Sequence, residues 1–183
     1  MDVMQAIKGR RSIRKYKPDP ITEEQLNTVL EAARWAPSCF NDQPWNFLVF
    51  TADDPGALAL ARECLSEGND WARKAPVLIF SIARKNFAHN GKPNRFAEHV
   101  QGMASVLAAL EAVNRGLCFH QMAGFSRARL AESFPAPEGH EVMAAIAVGY
   151  PGKISNLAPG KREAETAPRE RRPQTAFVHY HGW

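Results

Sequence analysis

The sequence predicts one globular domain of mixed helices and strands, and three observations predict it. The chain has 183 residues, of which 45% are hydrophobic and 23% charged. That is an ordinary globular composition on a chain long enough to bury roughly 70% of its unfolded surface. Thr22-Glu23-Glu24-Gln25 carries the capping-box pattern that opens a helix. Pro76-Val77-Leu78-Ile79-Phe80-Ser81-Ile82-Ala83 is a continuous apolar run of strand length, too short to span a bilayer.

The elements follow in order. Asp2 caps a short first helix with Val3, Ala6 and Ile7 on one side. The capping box opens a second, in which Leu26, Val29, Leu30 and Ala33 recur at helical spacing until Pro37 stops it. Residues 37–45 read as a loop by their turn chemistry and lead into a strand over 46–51. Asp54-Pro55 starts a third helix to about Glu67, broken by Ser66-Glu67-Gly68-Asn69-Asp70. The buried strand at 76–83 comes next, then a polar surface loop over 85–95. Phe96, Val100, Met103, Leu107, Leu110 and Val113 trace a long apolar helix over about 95–115, and Gly116 ends it. A short strand near 117–120, a helix from Ser126, a strand over 142–148, a Pro/Gly-rich arm and a last strand near 177–180 complete the chain.

Composition narrows the class further. The first residues lack the apolar core of a signal peptide, and no run reaches membrane-spanning length. Cys39, Cys64 and Cys118 are odd in number and widely spaced, which argues against a disulfide framework and a structural zinc site. A reducing cytoplasm is the expected compartment, with no membrane partner. His179 and His181 are the only close pair among six histidines, with no acidic or thiol partner nearby, so no metal is expected.

The formal net charge is +4, and its distribution carries more information than its size. Residues 1–20 hold six Lys/Arg against two Asp, and residues 153–173 hold six against three Glu, which leaves residues 21–152 with a net charge of −3. Two short basic clusters around an acidic body fit one compact anion, such as a phosphate, better than a nucleic acid. Arg10, Arg11, Ser12 and Arg14 put three guanidinium groups and a hydroxyl within five residues. Guanidinium matches phosphate through bidentate hydrogen bonds. In an extended arm, Arg169 and Arg171 share a face and could grip the same anion. Either cluster alone reads first as a solvated basic turn or tail, and the two together would also suit a basic anion- or nucleic-acid-binding module.

The residues together resemble a family, the FMN-dependent nitroreductases. The resemblance rests on Arg10-Arg11-Ser12-Ile13-Arg14, Pro37-Ser38-Cys39-Phe40-Asn41-Asp42-Gln43-Pro44-Trp45, Gly116-Leu117, Val148-Gly149-Tyr150-Pro151 and Arg169-Glu170-Arg171-Arg172-Pro173, in the family's order and across nearly the whole chain. It implies a nitroreductase-like α+β fold over residues 1–183, with a mostly antiparallel sheet flanked by helices. It also implies an intertwined homodimer with FMN in each of two interfacial clefts. By the resemblance, Arg10, Arg11, Ser12, Arg14, Arg169 and Arg171 contact the FMN of their own site. Pro37, Ser38, Cys39 and Asn41 reach the flavin from the other protomer, and Asn69 falls near a polar ring contact. Cys39 departs from the small residue, often Ser, of similar loops. Gly139 and its neighbours resemble a segment near the ring.

The implied activity is two-electron transfer from NADH or NADPH, through flavin N5, to a nitroaromatic, quinone or similar acceptor by a ping-pong mechanism. Donors such as Arg11 or Arg14 near N1 and O2 would favour the reduced ring. No side chain is needed as nucleophile, obligatory acid or base. Dehalogenation and flavin breakdown use the same scaffold and share these motifs. Trp45, Phe96, Met103 and Leu107 are expected in the core, although a dimer core would draw on the same stripe. Phe119, Gln121, Met122 and Phe125 are candidates for the acceptor pocket.

Overall fold

The computed structural model describes residues 2–157 and 159–183. They form two compact units, one running through Lys153 and the other over Ile154–Trp183.

The larger unit is a four-stranded sheet between helices. Its strands are β1 (Trp45–Phe50), β2 (Val77–Arg84), β3 (Cys118–Met122) and β4 (His140–Gly149), ordered β1-β2-β4-β3 with every neighbouring pair antiparallel. The helices are α1 (Val3–Gly9), α2 (Glu23–Arg34), α3 (Pro55–Glu63), α4 (Ala97–Asn114) and α5 (Arg127–Ser133). The α+β class and the antiparallel sheet expected from the sequence are therefore present.

Local chemistry sets the element ends. Thr22 Oγ1 accepts from the Gln25 amide at 3.2 Å while Gln25 Oε1 accepts from the Thr22 amide at 3.1 Å, the reciprocal capping box. Pro55 occupies the first turn of α3 behind its Asp54 cap, and Gly116 leaves α4 at φ +71°.

Alternation along β2 divides the core. Val77 and Ile79 meet α2 and α4 through Leu26, Val29, Ala33, Ala104, Ala108 and Ala112. Leu78 and Phe80 face the other layer, with Leu58 of α3, Leu130 of α5 and Phe50. The alanines of α4 at four-residue spacing let its backbone approach closely. Both faces of β2 are covered, which is why it reads as an unbroken apolar run.

Several segments differ from the sequence expectation. The break after α3 is a 3-10 stretch, Glu67–Lys74. Residues 85–95 form a small hairpin, bridged at Asn86 and Pro93, with Phe87 N–H donating to Lys92 O at 2.8 Å and Asn94 N–H to Lys85 O at 2.7 Å. In the smaller unit the arm contains α6 (Pro159–Thr166). Residues 177–180 are not a strand. The amides of Phe177 and Val178 both turn back to Gln174 O, which ties up the donors a ladder would use.

Candidate functional site

Arg10, Arg11, Ser12 and Arg14 lie on an irregular segment between α1 and residue 16. The segment is fixed from below at two points. Ile13 O accepts from His120 Nδ1 of β3 at 2.8 Å and from the Tyr16 hydroxyl at 3.2 Å, and that hydroxyl also reaches Ala147 O of β4 at 3.3 Å. Residues 15–17 then run beside the end of β4, with Lys17 N–H donating to Tyr150 O at 3.0 Å and Gly152 N–H to Lys15 O at 2.8 Å. Gly152 permits this approach, because a Cβ there would lie 2.9 Å from the Tyr16 backbone.

Behind the segment the rings form a stack. Trp71 lies 4.5 Å from the His120 ring and 6.2 Å from Tyr16. Trp71 shares its 3-10 stretch with Asn69, whose Nδ2 donates to Gly124 O at 2.8 Å just beyond β3. The structure thus brings Arg10, Arg11, Ser12, Arg14 and the Asn69 region to the β3 side of the sheet. Tyr16, Trp71 and His120 belong to no motif that assigns them a place at this segment. The one sequence-level signal was Tyr16 standing two residues after Arg14.

His120 is buried, and burial holds its pKa below the ordinary value. The hydrogen bond to Ile13 works against that shift, while the Arg14 and Arg10 cations add to it. The unfolded chain therefore takes up the proton more readily than the folded one. Stability from His120 is complete above its unfolded pKa of about 6.5 and is lost as pH falls from there through the lower folded value. Between pH 7.5 and 5.5 the wild type should lose a few degrees more in Tm than His120→Asn, whose amide keeps a donor for Ile13 but does not titrate. Thermal melts across that range check this, and parallel slopes would refute it.

Pro37, Ser38, Cys39 and Asn41 occupy the loop before β1. Cys39–Asn41 is a 3-10 turn followed by Asp42, and Phe40, Asn41 and Gln43 have φ of +56°, +54° and +50°. Left-handed backbone at a non-glycine residue costs about 1–2 kcal/mol, so the turn needs support. Ser38 Oγ accepts from the Gln43 amide at 3.1 Å, and Gln43 Nε2 donates to Asn41 O at 3.1 Å. The Asp42 carboxylate, 1% exposed, accepts from Arg84 Nη2 and from the Ala88 amide, both at 2.8 Å. Burial opposes its charge, but these donors outweigh that and hold the carboxyl below its ordinary range.

The loop and the arginine segment sit at diagonally opposite corners of the sheet. Trp45 pairs with Ala83 and Ala83 with Glu141, whereas His120 pairs with Ala147. One chain therefore separates them by about 20 Å along the strands and about 14 Å across.

Arg169 and Arg171 belong to the smaller unit, where both are exposed and Arg171 Nη1 donates to Glu170 O at 2.7 Å. Gly139 has φ +76°, and its carbonyl accepts from Lys85 N–H at 2.7 Å. Of the acceptor-pocket candidates, Phe119 and Met122 are buried in the two core layers and Gln121 is exposed. Trp45, Met103 and Leu107 pack on the core while half-buried, and Phe96 is exposed. All three cysteines are free thiols. Among the described residues no three metal-ligating side chains cluster, and no helix is long and apolar enough to cross a membrane.

Comparison with known proteins follows the same lines. Residues 7–68 match the model of the nitroreductase family. A solved structure described as an oxidoreductase containing FMN is 35% identical, with TM-score 0.89 over 100% of this chain and 92% of its own. An NADH dehydrogenase of Thermus thermophilus is 40% identical over 83 residues, 45% of this chain and 39% of that protein. An FMN reductase (NAD(P)H) of Bacillus subtilis is 32% identical over 119 residues, 63% of this chain and 46% of that protein. The chain thus spans less than half the length of these two curated relatives. The matched stretch 7–68 contains both the arginine segment and the strained loop, and the full-length likeness carries the same α+β sheet. The chain belongs to the nitroreductase family.

Proposed function

We propose that this chain is an FMN-dependent oxidoreductase that passes two electrons from NADH or NADPH to a small acceptor such as a nitroaromatic or a quinone. The observation that carries the reading is the cationic segment Arg10–Arg14, clamped through Ile13 to β3 and β4. Its donor set fits the group: three guanidinium forks and a hydroxyl on fixed backbone suit a phosphate monoester dianion. Bound FMN would supply two-electron transfer at N5, and a donor and an acceptor that use the same site in turn would give ping-pong kinetics.

The protein's part is to bind and orient. Arg10, Arg11, Ser12 and Arg14 hold the phosphate end, joined by Arg169 and Arg171 of the terminal arm. Asn69 serves the ring. Pro37, Ser38, Cys39 and Asn41 of the partner subunit complete the cleft, in a homodimer. The opposite-corner placement within one chain supports a site shared by two chains. So do the exposed apolar residues Val3, Met4 and Ile7 on α1 and Val106 on α4, a surface that a second copy would cover. No side chain acts as a nucleophile or obligatory acid.

The test is colour. Purified protein reconstituted with FMN should absorb near about 450 nm, as oxidised flavin does, and bleach anaerobically with NADH or NADPH. Protein that takes up no FMN would overturn the reading. Loaded protein that neither nucleotide bleaches would overturn the donor assignment alone.

A further inference from the structure

We propose that Asp42 and Arg84 form a positioning clamp that holds the turn at residues 40–43, left-handed at Phe40, Asn41 and Gln43, in the shape needed to present Ser38, Cys39 and Asn41 to the flavin. This rests on the reading above, in which the loop serves the partner's site.

Arg84 ends β2, and its Nη2 donates both to the Asp42 carboxylate and to the Asp42 carbonyl at 2.8 Å, fixing side chain and backbone of one residue together. Arg84 is itself held, its Nε donating to Asn86 O at 3.0 Å and its amide to Pro44 O at 2.9 Å. The second carboxylate oxygen takes the Ala88 amide, so the loop is bonded to the 85–95 hairpin as well as to β2.

Above this anchor the turn is open to solvent at Phe40, Asn41 and Gln43. Phe40 is 83% exposed and lies edge-on to two hairpin rings, Phe87 at 5.8 Å and His89 at 5.5 Å. An ion pair with a fully buried carboxylate and a half-buried guanidinium, under a strained exposed turn, is costly to keep for stability alone. It makes sense where the turn's shape is what is needed. Asp42 and Arg84 act through the turn they hold, so their role is to position and not to catalyse.

The experiment measures FMN dissociation constants by quenching of flavin fluorescence in full-length wild type, Arg84→Ala, Arg84→Lys, Asp42→Asn and Leu58→Ala. Leu58 is a buried core residue of α3 and reports what lost stability alone does. Arg84→Ala should raise Kd about tenfold or more, as small misplacements of binding groups do. Arg84→Lys should recover part of this, and Leu58→Ala should lower Tm with Kd unchanged. A rise under threefold in folded Arg84→Ala overturns the clamp, and so does an equal rise in Leu58→Ala. If Arg84→Ala does not fold, Arg84→Lys and Asp42→Asn decide, and wild-type Kd in both overturns it. FMN binding lost in Arg14→Ala but kept in Arg84→Ala would sink the clamp and leave the flavin site standing. No binding by the wild type would end both.

Discussion

Arg14→Ala and Arg171→Ala are each expected to weaken FMN binding by about 1.5–3 kcal/mol, the range for charge-assisted hydrogen bonds, or roughly tenfold to 150-fold in Kd. Neither change should cost much stability, because both side chains are exposed. The informative quantity is their coupling. If the two ends of the chain close on one phosphate, the double variant should depart from the sum of the singles by at least about 0.5 kcal/mol, since groups on a shared partner do not act independently. Isothermal titration with FMN measures all four corners of the cycle. Unchanged affinity in both single variants would mean that the clusters do not meet at the phosphate. Strict additivity would mean that they act on separate parts of the ligand.

The arginine segment was legible because its chemistry is local: three guanidinium groups and a hydroxyl within five residues form an anion site wherever the backbone can hold them. What holds it was not legible. His120 bonds a carbonyl 107 residues away, and no spacing rule pairs a lone histidine with a distant backbone oxygen. Asp42 went the same way. In sequence it is one polar residue of a turn, and only the arrival of Arg84 and Ala88 from another strand makes it an anchor. The elements followed the same division. The capping box, Pro55 and Gly116 announced their helix ends through bonds within a few residues. The hairpin at 85–95 and the 3-10 stretch at 67–74 close on short-range bonds of their own and are tethered at their edges by Gly139 and Gly124, which no local pattern announces. Residues 177–180 have strand-like side chains, but a strand also needs a neighbouring backbone, and their amides bond locally instead.

Mixed dimers should give the largest effect of all, because they convert the opposite-corner geometry into a count of intact sites. One lesion is Arg14→Ala. The other is a loop variant, Ser38→Ala with Asn41→Ala, which removes the acceptor for Gln43 N–H and an outward amide. In a shared site, each FMN takes its arginines from one chain and its loop from the other. A dimer with the lesions on different chains then has one site carrying both and one carrying neither. It should bind one FMN per dimer at wild-type affinity. Moving both lesions onto one chain opposite a wild-type partner should damage each site once and leave none at wild-type affinity. A site built within a single chain predicts the reverse, since the wild-type chain would keep its own flavin. Differently tagged chains, co-expressed and purified through both tags, supply the two dimers, and FMN titration of each counts its full-affinity sites. The geometry favours the first outcome: joining Arg14 to Asn41 within one chain would mean crossing three strand spacings and about six residues of strand length.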